Sequence, residues 1–97
     1  MIVRIVRLTL SPADLGTFDA LFQTHREAIE SQPGCQGVEL LLDPSDPCIR
    51  GTLSRWDSED ALNAYRQSEL FGLVWPQTKK LFNAPPEVWS YEVGERR

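Results

Sequence analysis

The order of strand-like and helix-like segments is the feature that most constrains how this chain folds. Residues 1–10 are rich in β-branched side chains and contain no breaker, which predicts a strand. Ser11 and Pro12 then predict a helix start, because serine caps free N–H groups and proline suits the first helical position. The stripe that follows has the spacing of an amphipathic helix, which should end at Gln32 before Pro33. It consists of Leu15, Phe18, Phe22, His25 and Ile29.

The second half of the chain repeats this alternation. Alternating apolar residues from Val38 predict a second strand that ends at Asp43, and a turn rich in proline and aspartate joins it to a third strand over residues 48–56. A second helix opens directly after this strand with capping and acidic residues. The helical pattern restarts near Ser68, and Pro76 predicts a bend or a further restart.

A last strand, residues 88–93, completes a β-α-β-β-α-β string with an extra helical piece before the final strand. Strings of this kind form the ferredoxin-like α+β sandwich, in which two helices cover one face of a four-stranded antiparallel sheet. At 97 residues the chain has the length of one ordinary domain, so we expect a single domain over residues 1–97.

Apolar side chains occur at both parities of the expected strands. In the first strand Ile2 and Val6 have one parity, whereas Val3 and Ile5 have the other. The helices cover only one face of such a sheet, and monomers rarely expose large apolar patches. The simplest cover for the second face is another copy of the sheet, packed about a two-fold axis. We therefore expect a sheet-to-sheet homodimer, the alternative being a monomer with scattered surface hydrophobics.

The charge balance excludes several classes of partner. The chain has a net charge of −4 and no basic stripe, whereas a nucleic-acid binder normally carries one. Its longest uncharged run, residues 70–78, is far shorter than the ~18 residues needed to span a membrane. Arg4 and Arg7 interrupt the start of the chain, where a signal peptide needs an apolar stretch. We expect a cytoplasmic protein that binds neither nucleic acid nor membrane.

Cysteine and histidine usage argues against a disulfide framework and against a metal site. The chain has two cysteines, Cys35 and Cys48, and one histidine, which do not supply tetrahedral zinc spacing. In an antiparallel hairpin of the second and third strands the two cysteines lie too far apart to bond, so both should be free thiols. No phosphate-binding, dinucleotide-binding or nucleophile-elbow motif occurs, and we expect no cofactor.

Two stretches of the sequence resemble a known family. The motif Pro33-Gly34-Cys35 leads from the first helix into the second strand. The block of residues 56–71 carries further matching positions in order: Ala61, Leu62, Tyr65, Ser68 and Phe71. Together they resemble the antibiotic biosynthesis monooxygenase family of dimeric α+β barrels, and the resemblance extends over about residues 1–93.

This resemblance implies a cavity between helices and sheet in each subunit, closed by aromatic side chains. Monooxygenases of the family use neither flavin nor metal; an aromatic substrate is deprotonated to an electron-rich anion that reacts with O2. The resemblance therefore implies a cofactor-independent monooxygenase acting on a quinol- or anthrone-type aromatic. Because the fold hosts several chemistries, two alternatives stay open. One is a non-catalytic ligand-binding or structural dimer, and the other is an isomerase of a small carbonyl compound.

The sequence departs from its relatives at two places. Many family members have histidine where Tyr65 stands, and tyrosine is a poor base near neutral pH because its ordinary pKa is about 10. Haem-degrading relatives use an asparagine in the first strand, together with a tryptophan and a histidine. Residues 1–10 contain no asparagine, which disfavours haem degradation.

Three polar residues are candidates for the chemistry. His25 interrupts an apolar helix stripe, and histidine is the residue type whose ordinary pKa lies near neutrality. It is either a base that takes the substrate proton or a partly buried histidine bonded to a neighbour. Tyr65 offers a hydroxyl that could hold a phenolate or carbonyl oxygen. Arg4, or Arg7 in its place, either stabilises an anion in the cavity or forms an ion pair at its rim.

Three aromatic residues are candidates for substrate binding. Trp56, Phe71 and Trp75 could line the pocket and stack on a flat ligand. The alternative is that they supply the bulk of a small core, which is the usual role of aromatics at helix and strand-end positions.

Overall fold

The computed structural model describes residues 1–95, which fold into four strands, three α-helices and a short 3-10 turn at Pro12–Asp14. The expected string, with its extra helical piece before the last strand, is confirmed. The elements are β1 (Ile2–Thr9), α1 (Leu15–Glu30), β2 (Cys35–Leu42), β3 (Ile49–Trp56), α2 (Glu59–Arg66), α3 (Glu69–Lys79) and β4 (Glu87–Glu92).

The four strands form one antiparallel sheet in the order β2-β3-β1-β4. Within it Arg4 lies opposite Ser54 of β3 and Ser90 of β4, and Ser54 in turn lies opposite Val38 of β2. Side chains alternate between the two faces of a strand, so the even-numbered residues of β1 and β3 share one face with those of β2 from Val38 onward. This is the ferredoxin-like α+β fold, and both central strands, β1 and β3, contribute side chains beneath the helices.

The core lies between this sheet face and α1. Val6, Leu8 and Leu10 of the first strand segment pack with Phe18, while Val38 packs with two further residues of α1, Phe22 and Ile29. The helix stripe read from the sequence is therefore the face that α1 buries. Each such side chain contributes roughly 1.5–3 kcal/mol when it leaves water. These contacts fix α1 over the sheet and so place His25, which belongs to the same stripe.

A serine caps the first turn of each of the second and third helices. The Ser58 hydroxyl accepts a hydrogen bond from the Ala61 amide at 3.1 Å and caps α2. The Ser68 hydroxyl accepts from the Phe71 amide at 3.2 Å and donates to the Tyr65 carbonyl at 2.6 Å. The expected restart near Ser68 is thus confirmed, and it holds the last turn of α2 against the first turn of α3.

Of the bend or restart expected at Pro76, the restart is wrong, because α3 continues through Pro76 to Lys79. Proline removes one backbone N–H, but packing on both sides of it holds the helix. Trp75 stacks on Phe71, and the buried Thr78 hydroxyl donates to the Val74 carbonyl at 2.9 Å.

Several element boundaries also differ from expectation, most of them by one or two residues. β2 begins at Cys35 rather than Val38, because a register shift between Cys35 and Gly37 interrupts the alternation that marks a strand. α1 ends at Glu30 and begins with the 3-10 turn, where the Ser11 side chain makes no capping bond.

Gly34 joins α1 to β2 in a conformation that other residues rarely adopt. Its φ is 82°, and a Cβ at this position would lie 2.5 Å from the Ala61 Cβ. The Gly34 carbonyl also accepts a hydrogen bond from the Asp57 amide at 2.8 Å. The Pro33-Gly34-Cys35 motif therefore allows α2 to approach the start of β2 closely.

None of the helices in residues 1–95 covers the opposite face of the sheet. Its apolar residues include Val3, Ile5, Leu41, Leu53, Trp89 and Tyr91, by strand parity and register. Two ion pairs, Arg7–Glu87 at 3.2 Å and Arg55–Glu39, lie on the same face. We call this surface the outer face. The apolar residues at both strand parities thus occupy both faces of the sheet.

Both cysteines are free and partly buried, as expected. Among residues 1–95, no helix is long and apolar enough to cross a membrane.

Candidate functional site

A cavity of about 90 Å³ lies between the helices and the sheet. Side chains from β1, β2, β3 and all three helices line it, so it exists only because the layers meet. The six residues identified from the sequence as candidate site residues all line this cavity: Arg4, His25, Trp56, Tyr65, Phe71 and Trp75. The structure therefore brings together residues that are far apart in the chain.

The aromatic side of the cavity is a continuous series of ring contacts. Tyr65 stacks on Trp56 with ring centroids 4.9 Å apart, and Phe71 meets Tyr65 edge-on at 5.3 Å. Trp75 stacks on Phe71 at 5.6 Å and contacts Phe82 edge-on at 5.6 Å. These separations are within the favourable range for aromatic pairs. The aromatic residues are therefore packed together and line a cavity at the same time.

Tyr65 contributes a hydroxyl that stays protonated near neutral pH. Burial raises its pKa above the ordinary value, the positive charge of Arg4 partly opposes this, and Cys35 adds to the increase. A protonated phenol can donate a hydrogen bond to an oxygen atom in the cavity but cannot act as a base there.

His25 comes from α1 and reaches the cavity between the buried apolar residues Phe22 and Ile29 of the same stripe. It is partly buried. Within residues 1–95 its imidazole makes no hydrogen bond or ion pair, so the bonded-neighbour interpretation finds no partner there. Both ring nitrogens are therefore free to exchange a proton with a ligand.

Arg4 enters the cavity from β1 and is only 8% exposed. Burial lowers its pKa, the like charge of Arg66 lowers it further, and Tyr65 acts in the opposite direction. No carboxylate in the described part of the chain forms an ion pair with Arg4. The rim ion pair considered for Arg4 is therefore absent from residues 1–95.

The remaining polar wall of the cavity was not identified from the sequence. Ser54 lies beside Arg4 across the strand pair, and its hydroxyl accepts a hydrogen bond from the Trp56 indole N–H at 2.9 Å. The signal was available, because Ser54 shares strand parity with Trp56. The other lining residues that the sequence did not single out for the site are Val6, Leu8, Phe18, Leu21, Phe22, Ile29, Val38, Thr52, Val74 and Thr78.

Within residues 1–95, no group of three or more histidine, cysteine, aspartate or glutamate side chains is placed to hold a metal ion. The titratable side chains that line the cavity are Arg4, His25 and Tyr65. This set can bind an anion, accept a proton and donate a hydrogen bond.

The fold and the cavity define a class of small α+β domains that enclose a ligand-sized space between one sheet and its helices. A family model described as "Antibiotic biosynthesis monooxygenase" matches residues 1–73 of the chain. The protein therefore belongs to the antibiotic biosynthesis monooxygenase family. No curated protein matches the sequence at a significant level.

Solved structures described by the same family name share the fold over almost the whole chain. A structure from Deinococcus radiodurans has a TM-score of 0.89 and 20% identity, covering 100% of this chain and 96% of that chain. One from Caulobacter crescentus has a TM-score of 0.90 and 19% identity, with 97% and 90% covered. One from Bordetella bronchiseptica has a TM-score of 0.85 and 24% identity, with 95% of each chain covered. At these identities the likeness establishes the fold alone.

Proposed function

We propose that this protein is a cofactor-independent monooxygenase that oxidises a small quinol-type aromatic with O2. The observation that carries the proposal is the grouping of His25, Tyr65 and Arg4 on an otherwise largely apolar, aromatic-walled cavity. Family membership supports the reaction class. Apolar walls suit a neutral aromatic ring, and the three polar groups suit the proton transfer and charge stabilisation that the reaction requires.

The size of the cavity favours a substrate with one ring. Its volume is about 90 Å³. An engineered apolar cavity that binds benzene has a volume of ~150 Å³. A single ring therefore fits after modest movement of the lining side chains, whereas a three-ring anthrone requires the aromatic wall to open. A hydroquinone is the better match of the two substrate types.

In the proposed reaction His25 takes the proton from a substrate hydroxyl and leaves an electron-rich phenolate. O2 adds to a ring carbon beside that oxygen to form a hydroperoxide. The O–O bond then breaks, one oxygen atom stays on the ring and the other leaves as water. A hydroquinone thus gives a hydroxyquinone, and the substrate itself supplies all four electrons that reduce O2. The protonated Tyr65 hydroxyl donates to the developing oxyanion.

We also propose that a second copy of the chain covers the outer face. The outer face combines apolar residues from all four strands with two ion pairs that are already formed within the chain. A satisfied charge pair does not demand water, so such a surface can pack against its own copy about a two-fold axis. The proposed homodimer leaves the cavity of each subunit on the opposite side of its sheet.

An oxygen-electrode assay with hydroquinones, catechols and anthrones tests the proposed reaction. Flavin is not added and a chelator is present. We expect O2 uptake with single-ring quinols, and labelled O2 should place one oxygen atom in the product. The absence of uptake, together with thermal stabilisation by the same compounds, would instead identify a non-catalytic binding protein. The absence of both effects across the panel would refute the substrate class.

A further inference from the structure

Arg4 is the one charged residue among the buried residues of the described chain. The arginines on other strand positions have acidic partners: Arg7 pairs with Glu87, and Arg50 contacts Asp19 through two nitrogen atoms at 3.0 and 3.3 Å. Arg4 has none within residues 1–95. A buried charge is normally paired, because the loss of water is otherwise uncompensated.

The surroundings of Arg4 add positive charge instead of cancelling it. Arg66, on the last turn of α2, acts on Arg4 as a like charge. Tyr65 stays protonated and neutral, and Ser54 and Thr52 carry no charge. The part of the cavity near β1 therefore has a net positive charge that no carboxylate within residues 1–95 balances.

We propose that the cavity binds an aromatic carboxylate, whose carboxylate group pairs with Arg4 while its ring lies against the aromatic wall. A planar guanidinium forms two parallel hydrogen bonds to a planar carboxylate, which suits this pairing geometrically. The proposal rests on the proposed function for its choice of ring: combined with that function, it names the substrate class as a hydroquinone that carries a ring carboxylate.

A permanent anion fits Arg4 better than the phenolate formed during the reaction. A phenol has a pKa near 10 and enters the cavity neutral at neutral pH, whereas a carboxylic acid, with a pKa near 4, enters charged. Arg4 is buried in the resting protein, so a group that is charged on arrival compensates it throughout the binding step. His25 then remains available for the ring hydroxyl. Arg4 thus sets the specificity, and His25 and Tyr65 act on the reacting oxygen.

The test compares two ligands of nearly the same shape, hydroquinone carboxylate and hydroquinone carboxamide. Their dissociation constants are measured without O2 by titration calorimetry, so that turnover plays no part. We expect the carboxylate to bind at least ~10-fold more tightly than the carboxamide. In Arg4→Gln the two constants should become equal within about threefold, through weaker binding of the carboxylate.

Arg7→Gln is the matched control, because Arg7 is on the same strand but on the outer face, paired with Glu87. It should keep the wild-type preference. If Arg4→Gln does not fold, Arg4→Lys serves as the second variant: it keeps the charge and loses the two-pronged geometry, so its preference should be reduced but not absent. Thermal stabilisation of the wild-type protein by each ligand gives the same comparison without a mutation.

Equal binding of the two ligands by the wild-type protein would overturn the proposal. So would a preference for the carboxylate that persists in Arg4→Gln, or tighter binding of phenyl phosphate than of benzoate. The oxygenase proposal is judged separately. A clear carboxylate preference without O2 uptake refutes the oxygenase but retains the anion site. Equal O2 uptake with carboxylate and carboxamide, at equal affinity, retains the oxygenase and refutes the anion site.

Discussion

The phenol ring of Tyr65 stacks on the indole of Trp56, with ring centroids 4.9 Å and planes 22° apart. Trp56 is fully buried, and its indole N–H is held by Ser54. The end of β3 therefore fixes the orientation of a side chain on α2. Since Ser68 also holds the Tyr65 carbonyl, both ends of this residue are restrained. Packing of the ring therefore positions Tyr65 at the cavity wall. Its hydroxyl makes no hydrogen bond within the described chain.

Tyr65→Phe should separate the role of the hydroxyl from the role of the ring. The stack on Trp56 and the edge contact with Phe71 remain, so the fold should be retained. If the hydroxyl donates to the developing oxyanion, kcat should fall by roughly 10²-fold with a smaller change in KM. Steady-state O2 uptake measures both constants. A variant with wild-type kcat would show that the hydroxyl has no part in the reaction.

Tyr65→Phe also tests how the free energy of unfolding depends on pH. Burial raises the pKa of Tyr65 in the folded protein above its unfolded value. The folded protein therefore favours the neutral form of the Tyr65 phenol. The resulting contribution to the free energy of unfolding is fully present below about pH 10, the unfolded pKa, and is lost as the pH rises toward the folded pKa. Between about pH 9 and pH 11, the free energy of unfolding of the wild-type protein should fall more steeply than that of Tyr65→Phe. Urea denaturation at each pH measures the two slopes, and parallel slopes would contradict the predicted shift.

His25→Ala should remove most of the activity while the fold is retained. A positioned general base typically contributes 10²–10⁴-fold, so kcat/KM should fall by at least ~100-fold. Gln23→Ala is the control, because Gln23 is on the same helix but exposed. Circular dichroism should show the same helix content for both variants and the wild-type protein. Unchanged turnover in His25→Ala would exclude the imidazole as the base.

Arg4→Met should stabilise the protein in the absence of ligand. The substitution removes a buried charge that has no acidic partner within residues 1–95 and keeps an unbranched apolar stem. Replacing buried ionic groups by apolar side chains of similar volume is often neutral or adds up to ~4 kcal/mol to the free energy of unfolding, and the missing partner of Arg4 favours the stabilising outcome. Denaturant titration measures the change, with Arg7→Met as the control that should stay within about 1 kcal/mol of the wild-type protein. A loss of stability in Arg4→Met would show that Arg4 is compensated in the resting state.

Leu53→Lys should disrupt the proposed dimer. Leu53 is on the outer face, where a lysine would place a charge at the centre of the contact. We expect the wild-type protein to sediment as a dimer at micromolar concentration and the variant as a monomer. Leu73→Lys is the control, because Leu73 is 55% exposed on α3 and outside the sheet. A wild-type protein that sediments as a monomer would refute the dimer.

Local rules were sufficient for much of the fold. Three of the signals act within a few residues, so they can be read from the sequence. They are the proline and glycine after the first helix, the serine caps of the second and third helices, and the side-chain parity of β1. The start of β2 and the restart at Pro76 were misplaced for different reasons. At β2, pairing with the distant strand β3 across a bulge overrode the local alternation. At Pro76 the helix continues, and the neighbouring Trp75 stacks on Phe71 one turn earlier within α3.

The sequence by itself determined which side chains could take part in the site, because helix stripe and strand parity are short-range periodicities. It identified His25, Tyr65 and Arg4 but left two roles open for both His25 and Arg4. Only the tertiary structure decided that Arg4 is buried without a carboxylate in residues 1–95 and that burial raises the pKa of Tyr65 above its ordinary value. Both properties depend on burial and on charges far away in the chain, and such distances arise only when the sheet and helices pack together.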